Sequence, residues 1–213
     1  LKWAIGQVKL PLAMGEEAKD GRMIGRYRVG VETGKGGTAS VFVGEHCETG
    51  QRVALKVFSP RDLAVAEFRR RVKREVQTLK QCSHPNIIRI LDFDLDGPVP
   101  HLALEFYEGE HLGLVVKREG KLPPERVTRI ALDVASALEH CHGLEIFHRD
   151  IKPANIMLEA KSGRAILLDF GLVKAANATT ITTFGGIMGS LGYLAPEQIL
   201  GQAVDGRTDI YQL

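Results

Sequence analysis

Cysteine is scarce in this sequence. Cys47, Cys82 and Cys141 are odd in number, far apart and without a Cys-x-x-Cys pair. They support neither a disulfide framework nor a zinc site, and they read as buried, reduced thiols. His140, Cys141 and His142 are adjacent, but neighbouring positions on a helix point in different directions, which argues against a metal site there. Excess charge of either sign is also lacking. Lys and Arg number 28 against 26 Asp and Glu, a formal charge of +2. The basic stripe expected of a nucleic-acid binder is therefore missing, and no nucleic-acid partner is expected. No apolar run approaches the roughly eighteen residues needed to span a bilayer, and no signal peptide is visible. No membrane contact is expected within this segment. What remains is an ordinary globular composition, 44% hydrophobic and 25% charged, long enough to bury a core. The sequence starts at Leu1 rather than Met and stops at Leu213 in mid-pattern, which reads as a fragment.

Residues 1–26 show no sustained period and carry Pro11, Gly15, Gly21 and Gly25, so they read as a linker or arm. From Tyr27 to Phe58 strands broken by turns are expected. Val53, Leu55 and Val57 share one face of an alternating run, with Ala54, Lys56 and Phe58 on the other. A helix follows, with Phe68, Val72, Glu75 and Leu79 on one stripe. Ile87–Phe93 and Leu102–Phe106 read as strands. Pro123-Pro124-Glu125 opens a second helix whose apolar stripe is Val127, Ile130, Ala131, Val134 and Leu138. Short strands are expected at Ile156–Leu158 and Ile166–Leu168, and a loop over Ala175–Gly192. Strands with one helix precede helices with short strands, which predicts two lobes that change over near Glu105–Gly113.

Gly34-Lys35-Gly36-Gly37-Thr38-Ala39-Ser40-Val41 is suited to phosphate, because glycines let backbone N–H groups come close to an anion. A Walker loop would need Ser or Thr directly after the Lys, and Gly36 stands there. A dinucleotide turn would open a helix, and a strand follows instead. A phosphate-binding turn between two strands and an ordinary hairpin turn both remain. Glu75 lies on the apolar stripe of its helix, where a carboxylate is costly unless paired, and Lys56 is the natural partner. The run Arg69, Arg70, Arg71, Lys73 and Arg74 reads mostly as a solvated helix face.

His148-Arg149-Asp150-Ile151-Lys152-Pro153-Ala154-Asn155 resembles the catalytic loop of protein kinases. Asp169-Phe170-Gly171 and Ala195-Pro196-Glu197 resemble the two motifs that follow it in that family, and Val53-Ala54-Leu55-Lys56 its strand lysine motif. The order and spacing agree from Tyr27 onward, and Gly36-Gly37 with Tyr193-Leu194-Ala195-Pro196-Glu197-Gln198 gives a look similar to bacterial eukaryotic-like Ser/Thr kinases. The resemblance implies an α+β, two-lobe protein-kinase-like fold, truncated: an antiparallel β-rich N-lobe with one main helix (27–104), then the hinge and a mostly helical partial C-lobe (105–213). It implies ATP and Mg2+, with Mn2+ as the alternative ion, and protein Ser or Thr hydroxyls as acceptors.

By the same resemblance Asp150 accepts the hydroxyl proton and Lys152 reaches the transferring phosphate, which marks Ser/Thr rather than Tyr specificity. Asn155 and Asp169 hold the metal. The Lys56–Glu75 pair steadies the α- and β-phosphates. Gly34, Gly36 and Gly37 cover the phosphates. Val41 and Ala54 cover the adenine from one side and Met157 from the other, although a core role for these three fits equally well. Leu104 is the gatekeeper, Glu105 to Tyr107 the hinge, and Asp209 the anchor of the catalytic-loop backbone. Arg149 implies a phosphate on the following loop, at Thr182 or Thr183 among Thr179, Thr180, Thr182 and Thr183, although that loop also reads as merely polar. Dimerisation would serve such autophosphorylation, and the cytoplasm is the expected location, with any membrane anchor outside this segment. Ala39 replaces the family's third glycine, and Ser190 stands where Thr is usual. Three other readings compete. A pseudokinase would lose Lys56, Asp150 or Asp169, and all are present. A small-molecule phosphotransferase would lack the Ala-Pro-Glu segment. An interaction module has no support beyond residues 1–26. A piece of a C-lobe leaves apolar surface uncovered, so marginal stability, and an inactive fragment, are also expected.

Overall fold

The computed structural model describes residues 21–36, 39–59, 63, 65–170 and 191–213. Gly37, Gly171, Ser190 and the four threonines of the 175–192 loop lie outside the described residues, as does most of the arm expected over 1–26. The chain divides into two compact units, Leu1–Arg74 with Ile90–Phe106, and Glu75–Arg89 with Tyr107–Leu213.

The first unit is a six-stranded antiparallel sheet in the order β1-β2-β3-β4-β6-β5. Its strands are β1 (Met23–Ile24), β2 (Tyr27–Lys35), β3 (Ala39–His46), β4 (Arg52–Phe58), β5 (Ile90–Asp94) and β6 (His101–Glu105). The arm expected up to residue 26 therefore ends earlier. β1 pairs with β2, and Ile24 is buried in the core with Tyr27, Val29, Val53, Leu55 and Ala103. An apolar Ile beside a turn was enough to recruit the strand. The alternation of β4 holds, with Val53 and Leu55 buried and Ala54 and Lys56 half-buried. Gly44 is required here. A Cβ on it would stand 2.5 Å from Leu55 Cδ1, a packed core atom. Helix α1 (Ala66–Leu79) contains the boundary between the units, and it buries Val72, Val76 and Leu79.

In the second unit β7 (Gly109–His111), β8 (Ile156–Glu159) and β9 (Ala165–Leu167) form a three-stranded sheet, with α2 (Leu112–Glu119) and α3 (Pro124–Gly143). Two short helices follow, α4 (Pro196–Ile199) and α5 (Gly206–Gln212). The strand expected over 87–93 splits. Ile87 bridges Leu167 of β9, Ile88 N–H donates to Leu167 O at 2.9 Å, and β5 starts only at Ile90. Pairing partners, not local sequence, divide the run. α3 begins with Pro at its first turn, a position where the missing N–H costs nothing. It buries Ile130, Val134, Ala137, Leu138 and Cys141. Val127, expected on that stripe, is 49% exposed. A 20-residue helix runs about 30 Å, whereas a three-residue strand spans about 10 Å, so the small sheet does not reach the first turn of α3. Cys82 and Cys141 are free and buried, and burial pushes the Cys141 thiol up to about 12.

Candidate active site

The second unit carries a loop, His148–Asn155, with little secondary structure of its own beyond one 3-10 turn at Pro153–Asn155. Side chains from elsewhere hold it instead. α5 opens with Asp205 as N-cap, accepting from Arg207 N–H at 2.9 Å. One turn into the helix, Asp209 is fully buried. Its Oδ2 accepts from His148 N–H at 2.8 Å and from His142 Nε2–H at 2.9 Å, and its Oδ1 accepts from Arg149 N–H at 2.6 Å. A buried carboxylate is tolerated when donors saturate it, and here three do. Gly206 makes room for this, because a Cβ at that position would sit 2.8 Å from His142 Nδ1.

His148 is the second anchor. Its Nε2–H donates to Leu168 O at 2.6 Å, its Nδ1 accepts from Asp150 N–H at 3.3 Å, and its ring centroid lies 4.7 Å from that of Phe170. The ring thus ties the loop to the segment ending in Asp169. Burial lowers the His148 pKa below its ordinary value of 6.5, against a smaller opposing pull from Leu168 O and the carboxylates of Asp209, Asp150 and Asp169. Above about pH 6.5 the ring is neutral both folded and unfolded. Below it the unfolded chain takes up a proton that the folded chain resists, so stability falls as pH drops. The slope approaches about 1.4 kcal/mol per pH unit for this one group. Urea midpoints between pH 7.5 and 5 should show the decline, and His148→Gln should flatten it. An unchanged slope in that variant would remove His148 as its source.

Within this frame Lys152 Nζ donates to Asp150 Oδ2 at 2.8 Å. Asn155 Nδ2–H donates to Asp150 O at 2.7 Å and to Asp150 Oδ2 at 3.0 Å. The Asp150 and Lys152 side chains are only 13% and 15% exposed, so the carboxylate has one orientation and a cation beside it. Leu168 N–H donates to Asn155 O at 2.8 Å, which sets Asp169 next along the chain, exposed and at φ 46. Both amide hydrogens of Asn155 go to Asp150, so its carbonyl oxygen is the end available to a ligand. Amide oxygen and carboxylate are the hard donors a divalent cation takes. The residues present therefore fit the metal that the sequence implies.

Other expected residues sort by unit. In the first, Gly34 pairs with Val41, and Gly36 N–H donates to Ala39 O at 2.8 Å, so the described glycines lie at the ends of β2 and β3 that face each other. Val41 stands opposite Lys56, with Ala54 two residues away. These three share the sheet face opposite Val53 and Leu55. Glu105 ends β6, and the Phe106 ring lies under the Arg52 guanidinium at 4.2 Å. In the second, Tyr107 follows the boundary, and Met157 of β8 is half-buried opposite His111. Glu75, expected to pair with Lys56, has its Oε1 3.9 Å from Arg149 Nη1. Sequence reasoning missed His142, Gln198 and Gln212. The one available signal was spacing, since Gln212 lies three residues after Asp209 and shares its helix face.

Residues 27–213 match the family model for the protein kinase domain. Among curated proteins, the chain is 35% identical over 192 residues to the serine/threonine-protein kinase PrkC of Bacillus subtilis, covering 90% of this chain and 30% of that protein. It is 37% identical over 207 residues to the serine/threonine-protein kinase Pkn1 of Myxococcus xanthus, covering 95% of this chain and 30% of that one. The chain thus spans about 30% of the length of these relatives. Among solved structures, the PknI kinase domain of M. tuberculosis aligns with a TM-score of 0.74 and 30% identity, over 93% of this chain and 72% of that one. The loop that fixes Asp150 lies inside the matched span, and the chain belongs to the protein kinase family.

Proposed function

We propose that this chain is the catalytic segment of a Ser/Thr protein kinase that moves the γ-phosphate of ATP to protein Ser and Thr hydroxyls. The observation that carries this is the Asp150 carboxylate, oriented by Lys152 and Asn155. Asp150 aligns the acceptor hydroxyl and takes its proton as the new P–O bond forms. Lys152, already 2.8 Å from that carboxylate, reaches the transferring phosphate and compensates its charge. Mg2+, or Mn2+ in its place, would be held by Asn155 and Asp169 and supplies charge compensation on the phosphate oxygens. Gly34, Gly36, Gly37, Val41, Ala54, Met157, the Glu105–Tyr107 backbone and the Lys56–Glu75 pair keep the nucleotide-holding roles of the family resemblance. The cytoplasm, where ATP and reduced thiols coexist, is the compartment this reading requires. The test incubates the full-length protein with labelled ATP, Mg2+ and a protein acceptor. Label on Ser and Thr, lost in Asp150→Asn, is the expected result. Label on neither would overturn the reading.

Regulation by autophosphorylation belongs to the same proposal, with a second copy as the partner in the transfer. Arg149 Nε is buried without a hydrogen-bond partner among the described residues, and its Nη1 contact to Glu75 is long at 3.9 Å. A phosphate on Thr182 or Thr183 would satisfy that guanidinium with charge-assisted hydrogen bonds. Mass spectrometry after incubation with ATP should find one of these threonines modified. A fully active enzyme with an unmodified loop would sink the idea.

A further inference from the structure

Asp150 has an unusual backbone mounting. Arg149, the residue before it, has φ 66, a left-handed conformation that costs a residue with a Cβ and persists only where the surroundings impose it. Asp209 holds its N–H. Its carbonyl is held by a different side chain: Gln198 Nε2–H donates to Arg149 O at 2.9 Å. On the far side of Asp150, Ile151 N–H donates to Gln212 Oε1 at 2.9 Å. The two glutamines also bind each other, with Gln212 Nε2–H donating to Gln198 Oε1 at 2.9 Å. Ala195 N–H donates to that same oxygen at 3.1 Å. Each amide therefore has one orientation that satisfies all its partners, and a flip of either would set like against like.

We infer that Gln198 and Gln212 act as one amide bridge that positions Asp150 for proton acceptance. This rests on the kinase reading above. The bridge grips the peptide groups on both sides of Asp150, so it sets the direction in which the carboxylate leaves the backbone. Gln212 is only 8% exposed, and nothing in its own helix uses its amide. The bridge also joins the Ala195-Pro196-Glu197 segment to the catalytic loop, so displacement of α4 would be felt at Asp150. Misplacement of a catalytic group by about 1 Å costs on the order of 100-fold in rate. Neither glutamine touches substrate, and both are positioning residues.

The test compares Gln212→Met, Gln198→Met and the double variant in the full-length protein. Met keeps the length of the side chain and loses its hydrogen bonds without burying a charge. The readouts are kcat, KM for ATP and melting temperature. Each single variant should lower kcat by roughly 10- to 100-fold with KM for ATP within about twofold, and the double variant should be little worse than the weaker single, because one bridge is broken either way. Should one single variant melt too low to assay, the other carries the kcat-against-KM comparison. Two independent packing roles predict losses that multiply and that follow melting temperature. Full kcat in either single variant, or multiplied losses in the double, overturns the bridge. If the unmodified protein transfers no phosphate, it is the kinase reading that falls.

Discussion

Asp150→Asn should slow phosphate transfer by roughly 100- to 10,000-fold, the range a positioned general base contributes. Asn matches Asp in shape, and its carbonyl oxygen can still accept from Lys152 or Asn155. What it loses is the ability to take the proton as the acceptor oxygen attacks. The charge beside Lys152 goes as well, and because both side chains are largely buried its loss should cost on the order of 1–3 kcal/mol. The loss of rate should still far exceed what that loss of stability explains. Single-turnover transfer should collapse while nucleotide affinity holds and the protein remains folded with a lowered melting temperature. A variant within tenfold of the original rate would show that Asp150 orients the hydroxyl without receiving its proton.

Asp209→Ala should have the reverse signature, a loss of folding before any loss of chemistry. Removal of this carboxylate leaves His148 N–H and Arg149 N–H buried without acceptors, and His142 loses its partner. Each unsatisfied buried donor costs about 1–3 kcal/mol, and a small cavity adds to that. A total of about 3–5 kcal/mol is expected, against the 5–15 kcal/mol that typically holds a domain together. Equilibrium urea unfolding would read this as a lower midpoint with an unchanged slope. An unaltered midpoint would mean that water replaces the carboxylate and that the loop is not anchored as described.

The candidate site was easiest to read where its residues are contiguous. Asp150, Lys152 and Asn155 fall within six positions, and the structure joins them by hydrogen bonds. Asp169 and Lys56 each drew notice because each sits in a short motif. Of the mounting only Asp209 was read, through the family resemblance, because the mounting is made of side chains about fifty to sixty residues from the loop. Gln198 and Gln212 carry no charge and no period, and only the fold reveals that two amides meet under Asp150. Glu75 shows the same limit differently. Its place on an apolar stripe suggested Lys56 as a partner, and nothing in the sequence pointed to the Arg149 guanidinium 3.9 Å away. Val127 marks the limit of periodicity, which identifies a stripe but not how far its partner surface extends. Ile87 marks the limit of β-propensity, because one apolar run served two sheets.

The loop's dependence on Asp209 and Gln212 has a consequence for synthesis. The hydrogen bonds that order His148, Arg149 and Ile151 span 60 or 61 residues of chain. At about 5–20 residues per second, the ribosome releases the loop roughly 3–12 s before the carboxylate and the amide that secure it. During that interval the N–H groups of His148, Arg149 and Ile151 have only water to bind, and Arg149 has no reason to hold its left-handed turn. Strands β1 to β6 complete their pairings with residues already made. The loop that carries Asp150 therefore keeps no fixed shape until α5 has emerged, however early the rest of its unit forms.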